Sequence, residues 1–239
     1  MSKHCRILAL ILSLTTLFCA LPALGDGLPE AFSVTYKTED RFVNHKRGFV
    51  SKEHIAAANP AVASEINALV DAYDEQYAPA LKGSDNPKRN SRLDIHVVHS
   101  VTGTKWVSFL VLARQSYARK QLSSPFTARA YDMDTGRQLV LTDVVQDTPE
   151  SWDILSAAVR EQLSAYFPNE EANVDTLNRL SSREGLLNTP FMLTPATLTL
   201  HYEASALYPG HPTLMRVTVY YSALASVLTD EARVQTDNS

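Results

Sequence analysis

The chain has 239 residues, 22 Lys+Arg against 26 Asp+Glu, and a formal net charge of −4. With 45% hydrophobic and 20% charged residues it is neither a disordered nor a fibrous sequence, and it is long enough for a real core. The acidic balance excludes the basic footprint that nucleic-acid binding requires.

The chain opens on an export signal. Lys3 and Arg6 form a positive n-region, Ile7 to Leu21 is an apolar run, and Ala23-Leu24-Gly25 places small residues before a predicted cut at Asp26. The run is short for a membrane span. Phe18 precedes Cys19 where lipidation would want a small residue, so a lipoprotein is not expected. Cleavage removes both cysteines, Cys5 and Cys19, and with them disulfides, thiolate metal sites and cysteine nucleophiles. Losing Lys3 and Arg6 takes the formal charge from −4 to −6.

Phe32 to Tyr36 alternates apolar and polar residues and predicts a half-buried strand. Pro60 opens a helix whose apolar face is Val62, Ile66, Leu69, Val70, Tyr73 and Tyr77, and Pro79 ends it. Lys82 to Ser91 is polar and turn-forming, hence an exposed loop. Two strands follow, Leu93 to Val101 and Trp106 to Ala113, joined at Thr102-Gly103-Thr104. A second hairpin is predicted from Phe126 to Val145, turning at Asp132 to Gly136. A helix starts at Pro149, with Trp152, Leu155, Val159, Leu163 and Phe167 on one face, and Phe167-Pro168 ends it. A weaker helix (Val174, Leu177, Leu180) stops near Gly185, and strands are expected at Phe191–Leu193, Leu198–Tyr202 and Leu214–Tyr220. A short helix runs from Ser222 to Leu228, and 229–239 reads as a frayed polar tail. Hairpins dominate, so the predicted class is α+β: antiparallel sheets with packed helices, two small modules in tandem. The boundaries are 1–25 for the signal, 26–125 and 126–228 for the modules, and 229–239 for the tail.

No motif assigns catalysis. Asp134-Thr135-Gly136 spells the aspartic-protease triplet, but that chemistry needs a second carboxylate from a second copy or a dimer, and the sequence holds one copy followed by Arg137. A turn with Gly in the left-handed region explains it better. Asp132, Asp134 and Asp143 lack the third ligand and distal Glu of a calcium loop. His96 and His99 lie three apart on a strand and so face opposite sides. No G-x-S-x-G, S-x-x-K or Gly-rich phosphate loop is present, and neither cofactor nor metal is expected.

Three stretches carry a family resemblance. Tyr131 to Val145 (YDMDTGRQLVLTDVV), Phe191 to Pro195 (FMLTP), and Tyr208-Pro209-Gly210 through Val217 to Leu224 resemble, in order and spacing, the RsiV-like C-terminal family (domain of unknown function 3298). Upstream, Glu65-Ile66-Asn67 and Ser108-Phe109 resemble the front module of PdaC-type deacetylases (domain of unknown function 4163). Together the two resemblances span 32–228. They imply extracytoplasmic, non-catalytic α+β modules, which in one branch sense lysozyme and in another precede a separate polysaccharide deacetylase. The Gly-Gly-Ala-His-like stretch found in members is replaced here by Tyr117 to Pro125, so a binding property tied to it does not carry over.

The expectation is therefore an exported, periplasmic or secreted binding module whose partner is a cell-wall hydrolase such as lysozyme. The alternatives are a peptidoglycan- or polysaccharide-binding accessory protein and an uncharacterised cell-envelope hydrolase. Two candidate contact regions stand out. One is the loop Leu207 to Pro212, where two prolines stiffen Tyr208, Pro209 and His211. The other is the set of cations at the junction of the halves: Arg114, Arg119, Lys120 and Arg129. Trp106 and Trp152 sit in apolar patterns and read as core, not as sugar platforms.

Overall fold

The computed structural model describes residues 33–43, 48–81, 91–117, 120–165, 174–203 and 214–237. The signal segment lies outside them, and no helix among the described residues is long and apolar enough to cross a membrane.

The strands form two sheets. The larger contains β1 (Val34–Val43), β2 (Gly48–Ala57), β3 (Ser91–Thr102), β4 (Trp106–Tyr117), β5 (Lys120–Ser123) and β6 (Phe126–Asp132). They lie in the order β1-β2-β3-β4, with β5 and β6 both pairing with β4. Helix α1 (Pro60–Tyr77) connects β2 to β3. A helical crossover of that kind makes its two strands parallel, and Gly48–Lys52 does run parallel to Ser91–Ile95. All other pairings are antiparallel, so the α+β class holds, with one mixed sheet.

Helix α1 starts where the sequence places it. The Asn59 side chain accepts from Ala61 N (3.1 Å) and Val62 N (3.3 Å), and Pro60 takes the first turn. Val62, Ile66 and Val70 then bury one face of the large sheet together with Leu93, Ile95, Val97, Phe109 and Val111. From Trp106 to Ala113, β4 is buried on both faces, which is why its sequence reads as an apolar run interrupted only by Ser108.

Beyond β6 come α2 (Leu141–Val144), α3 (Pro149–Ala165), α4 (Val174–Ser181) and α5 (Arg183–Leu187). The second sheet is β7 (Phe191–Leu193), β8 (Thr197–Glu203) and β9 (Leu214–Tyr220), followed by α6 (Tyr221–Leu224) and α7 (Asp230–Asp237). Leu155, Val159 and Leu163 of α3 pack with Leu198, Leu200, Val217 and Val219. Met192 of β7 packs against Leu110 and Ala128, and Leu193 N donates to Ser108 Oγ (2.9 Å), so the small sheet rests on the β4–β6 side of the large one.

Several expectations are corrected. The hairpin predicted from Phe126 to Val145 has only its first strand, and β6 joins the large sheet by pairing with β4. The return leg touches β6 at one bridge, Tyr131–Gln138, and then coils into α2. The reason is Asp143, whose carboxylate accepts from Val140 N (2.7 Å) and Arg137 (2.8 Å) and so closes a helical turn. The last predicted helix is only α6, and Leu228 instead bridges Val145. The polar tail is helix α7. Thr229 Oγ1 accepts from Ala232 N (3.1 Å) and donates to Asp143 O (2.7 Å), Ala232 is buried, and Gln235 Oε1 accepts from Thr104 N (2.8 Å) and Lys105 N (3.2 Å). Gly103, at φ +62°, is the residue under that lid, and a Cβ there would lie 2.5 Å from Gln235 O. Strand β2 has no counterpart among the predicted strands.

Candidate interaction surface

Most of the residues singled out from sequence are dispersed or internal. Tyr208, Pro209, His211 and Arg119 lie outside the described residues. Lys120 opens β5 and is exposed. Arg114 is exposed opposite Asp94 in the β3–β4 register. Arg129, by contrast, is half-buried and forms an ion pair with Glu65 of α1, so it does not join a free basic patch.

The histidines do not converge. His96 Nδ1 meets Glu53 (3.1 Å), while His99 shares a hydrogen bond with Tyr36 on the opposite side of β3. His54 stands between Asp71 (Nε2 to Oδ1, 2.9 Å) and Glu39 (Nδ1 to Oε1, 3.7 Å), with a carboxylate on each side. Among the described residues neither ring nitrogen of His201, 2% exposed, finds a hydrogen-bond partner, and burial, then the Arg216 charge, lowers its pKa to about 4. Among the described residues no group of three His, Cys, Asp or Glu side chains could hold a metal ion.

Asp134-Thr135-Gly136 is a turn. Asp132 Oδ1 accepts from Asp134 N (3.1 Å), Thr135 N (3.0 Å) and Thr135 Oγ1 (3.0 Å), and Gly136 adopts φ +72°. Burial alone would raise the Asp132 carboxyl, but hydrogen bonds from Thr135 and from Lys105 outweigh it and hold it below the ordinary value.

Between the β1–β2 hairpin and α1 lies a charge network that the sequence did not announce. Buried Asp74 receives Arg41 from β1 and Lys52 Nζ from β2 (3.3 Å), and Lys52 also meets Asp71 (2.7 Å). Burial works against the Lys52 ammonium, yet hydrogen bonds to Asp71 and Asp74 raise its pKa overall. These charges neutralise one another, so the network braces the hairpin rather than offering a free ligand site.

Two side-chain amides do comparable work on backbone. Past Lys52, β2 leaves β3, and Asn67 of α1 fills the gap: Ile55 N donates to Asn67 Oδ1 (2.8 Å) and Asn67 Nδ2 donates to Ile55 O (2.9 Å). On the outer edge of β9, Gln162 of α3 does the same at Thr218, accepting from its N–H (3.0 Å) and donating to its C=O (2.7 Å). In the same gap as Asn67, the Glu53 carboxylate accepts from Val97 N (3.0 Å).

What remains open opposite α1 is the face of β1, β2 and the first part of β3, because the small sheet covers the β4–β6 side and reaches only the end of β3, where Thr102 is buried. Across this face runs a row set by register: Phe42 opposite Phe49, and Phe49 opposite Arg92. The two rings meet edge-on at 5.4 Å, and the Arg92 guanidinium lies 4.8 Å over Phe49 while bonding both oxygens of Asp94 (2.6 Å each). Phe42 is 61% exposed, and Val98 is exposed on the same face. Both tryptophans are buried, Trp106 completely, and Trp152 is tied to Asp147 (2.7 Å), so neither offers a stacking platform for sugar. Rings interleaved with Asp40, Arg92, Asp94 and Arg114 make a mixed aromatic and charged surface of the kind found where proteins meet.

No family model matches this chain, and no curated protein matches it. Solved structures do. The chain is similar to a DUF3298 family protein from Pseudomonas aeruginosa PAO1 at a TM-score of 0.59 and 15% identity, over 86% of this chain and 98% of the other. It is also similar to a DUF3298 family member from Bacteroides fragilis NCTC 9343 at a TM-score of 0.50 and 11% identity, over 87% and 97% of the two chains. At these identities the likeness speaks for architecture, and over 86% and 87% of the chain it spans both sheets rather than one: the chain shares the fold of these two DUF3298 proteins.

Proposed function

We propose that this protein is an exported binding module without catalytic activity, of the RsiV and PdaC type, whose partner is a basic cell-wall hydrolase such as a lysozyme. The open face of β1–β3 carries this reading: an exposed aromatic ring, a stacked Arg–Phe pair and alternating charges on a rigid sheet suit a folded protein partner. The two buried tryptophans weigh against a glycan as the direct ligand. The acidic net charge of −4 steers a basic partner toward the molecule and makes the encounter salt-dependent.

Isothermal titration of the purified protein against a c-type lysozyme tests this. Saturable binding at micromolar affinity or tighter is expected, with Phe42→Ala and Arg92→Ala each weakening it about tenfold or more. Absence of heat at two temperatures overturns the reading, and co-sedimentation with purified sacculi in its place would assign a peptidoglycan ligand.

A further inference from the structure

Strand β1 is the outer strand of the large sheet, ten residues long and paired only with β2. Among the described residues nothing pairs with its other side. An edge of this length presents a row of backbone N–H and C=O groups to any strand that can align with it. Phe42 is 61% exposed and Tyr36 44% exposed on this strand.

Charges on an edge strand ordinarily keep a second strand away. The order of the charges on β1 does the reverse for a second copy of itself. Two copies meeting antiparallel about a twofold axis perpendicular to the sheet continue one sheet, and residues opposite each other then share a face. Such a pairing is centred on one residue. Centred on Thr38, it sets Lys37 against the other copy's Glu39 twice, and Val34 against Phe42 twice, with Tyr36 facing Asp40. The adjacent centres are penalised, and centring on Tyr36 sets Lys37 against Thr35 with no ion pair gained. Centring on Lys37, Glu39 or Asp40 sets that charge against its own copy, and centring on Glu39 also opposes Lys37 to Arg41. Lys37 and Glu39 already share a face and bond each other within one chain (3.1 Å), so both are placed to exchange partners across the axis. Arg41 is held by Asp74 and is not needed in the pairing.

We propose that β1 is a self-association edge: two copies join antiparallel about Thr38 into one continuous sheet, selected by the crossed Lys37–Glu39 pairs. The open faces of the two large sheets then lie side by side on the same side of the dimer. This geometry does not depend on the partner proposed above, and its test uses no partner.

Sedimentation equilibrium of the purified protein, in low salt and up to roughly 100 µM, tests the proposal. A monomer–dimer equilibrium is expected. Lys37→Glu and Glu39→Lys each place two like-charge contacts across the axis and should weaken the dimer about tenfold or more. The double charge swap, Lys37→Glu with Glu39→Lys, restores opposite signs and should return the dimer to within about threefold of the original. Circular dichroism of each variant checks that the substitutions leave the fold intact, Glu39 being half-buried beside His54. A monomer at all concentrations overturns the proposal. So does a dimer indifferent to the single reversals, or one that the double swap fails to restore.

Discussion

The two sheets solve one problem in two ways. Each needs a helix across it, and each helix sends one amide to a strand's unpaired backbone, Asn67 to Ile55 and Gln162 to Thr218. The settings differ. Under α3 the small sheet is held by an almost wholly apolar layer, with Leu155, Val159 and Leu163 at 0% exposure. Under α1 the apolar layer reaches only part of the sheet, and the β1–β2 hairpin is held by Arg41, Lys52, Asp71 and Asp74. Apolar packing is non-directional and forgiving, whereas a buried charge must find its counter-charge or cost several kcal/mol. The large sheet should therefore fail at single polar residues, and the small sheet at volume changes.

The sharpest way to break this contrast is Asp74→Ala. It leaves Arg41 and Lys52 without their buried carboxylate, and a loss of roughly 3–5 kcal/mol is expected by chemical denaturation. A loss under about 1 kcal/mol would show that the hairpin does not rely on the network.

Acidification should probe the small sheet next. His201 is buried neutral with a pKa of about 4, whereas in the unfolded chain it titrates near the ordinary 6.5. Unfolding therefore takes up a proton between those values. The stability tied to His201 is complete above pH 6.5 and is lost as pH falls toward 4, by about 3 kcal/mol in all. Urea melts at pH 7, 5.5 and 4 should show this loss, and His201→Leu should remove the part of the slope between pH 6.5 and 4. Asp132 and Asp71, whose carboxyls are held below their ordinary values, lose their contribution at lower pH as they are protonated.

The smallest expected difference is between the two amide clamps. Asn67→Ala unpairs both backbone groups of buried Ile55 and should cost roughly 1–3 kcal/mol. Gln162→Ala uncovers Thr218 on a half-buried sheet edge where water replaces the amide, so about 0.5–1.5 kcal/mol is expected. Equal losses in thermal melts would mean that the gap beside β2 is as wet as the outer edge of β9.

The same division between apolar and polar support governs how legible each element is in the sequence. Helices α1 and α3 are legible because Val62, Ile66 and Val70, and Leu155, Val159 and Leu163, recur at helical spacing above an apolar floor. Strand β2 is not, because Lys52 and His54 face α1 through ion pairs where a strand pattern would show apolar residues. The C-terminal helix carries a local signal, Thr229 as cap with Asp230 and Glu231 in the first turn. Its polar composition conceals it, since Ala232 and Gln235 are the helix's buried residues and neither makes an apolar stripe.

Of the candidate surface, the sequence points to Arg114 but not to Phe42, Phe49 or Arg92, which lie far apart in the chain and meet only through strand register. By itself the sequence determined the α+β class, the apolar faces and the turns at Gly103 and Gly136, all of which follow from side chains within a few residues of one another. Only the tertiary structure decided which strands are neighbours, that β6 completes the first sheet, that Asp74 is buried with two cations, and which sheet face stays open. Those outcomes depend on contacts between residues distant in the chain, and no local pattern records how such pairings compete.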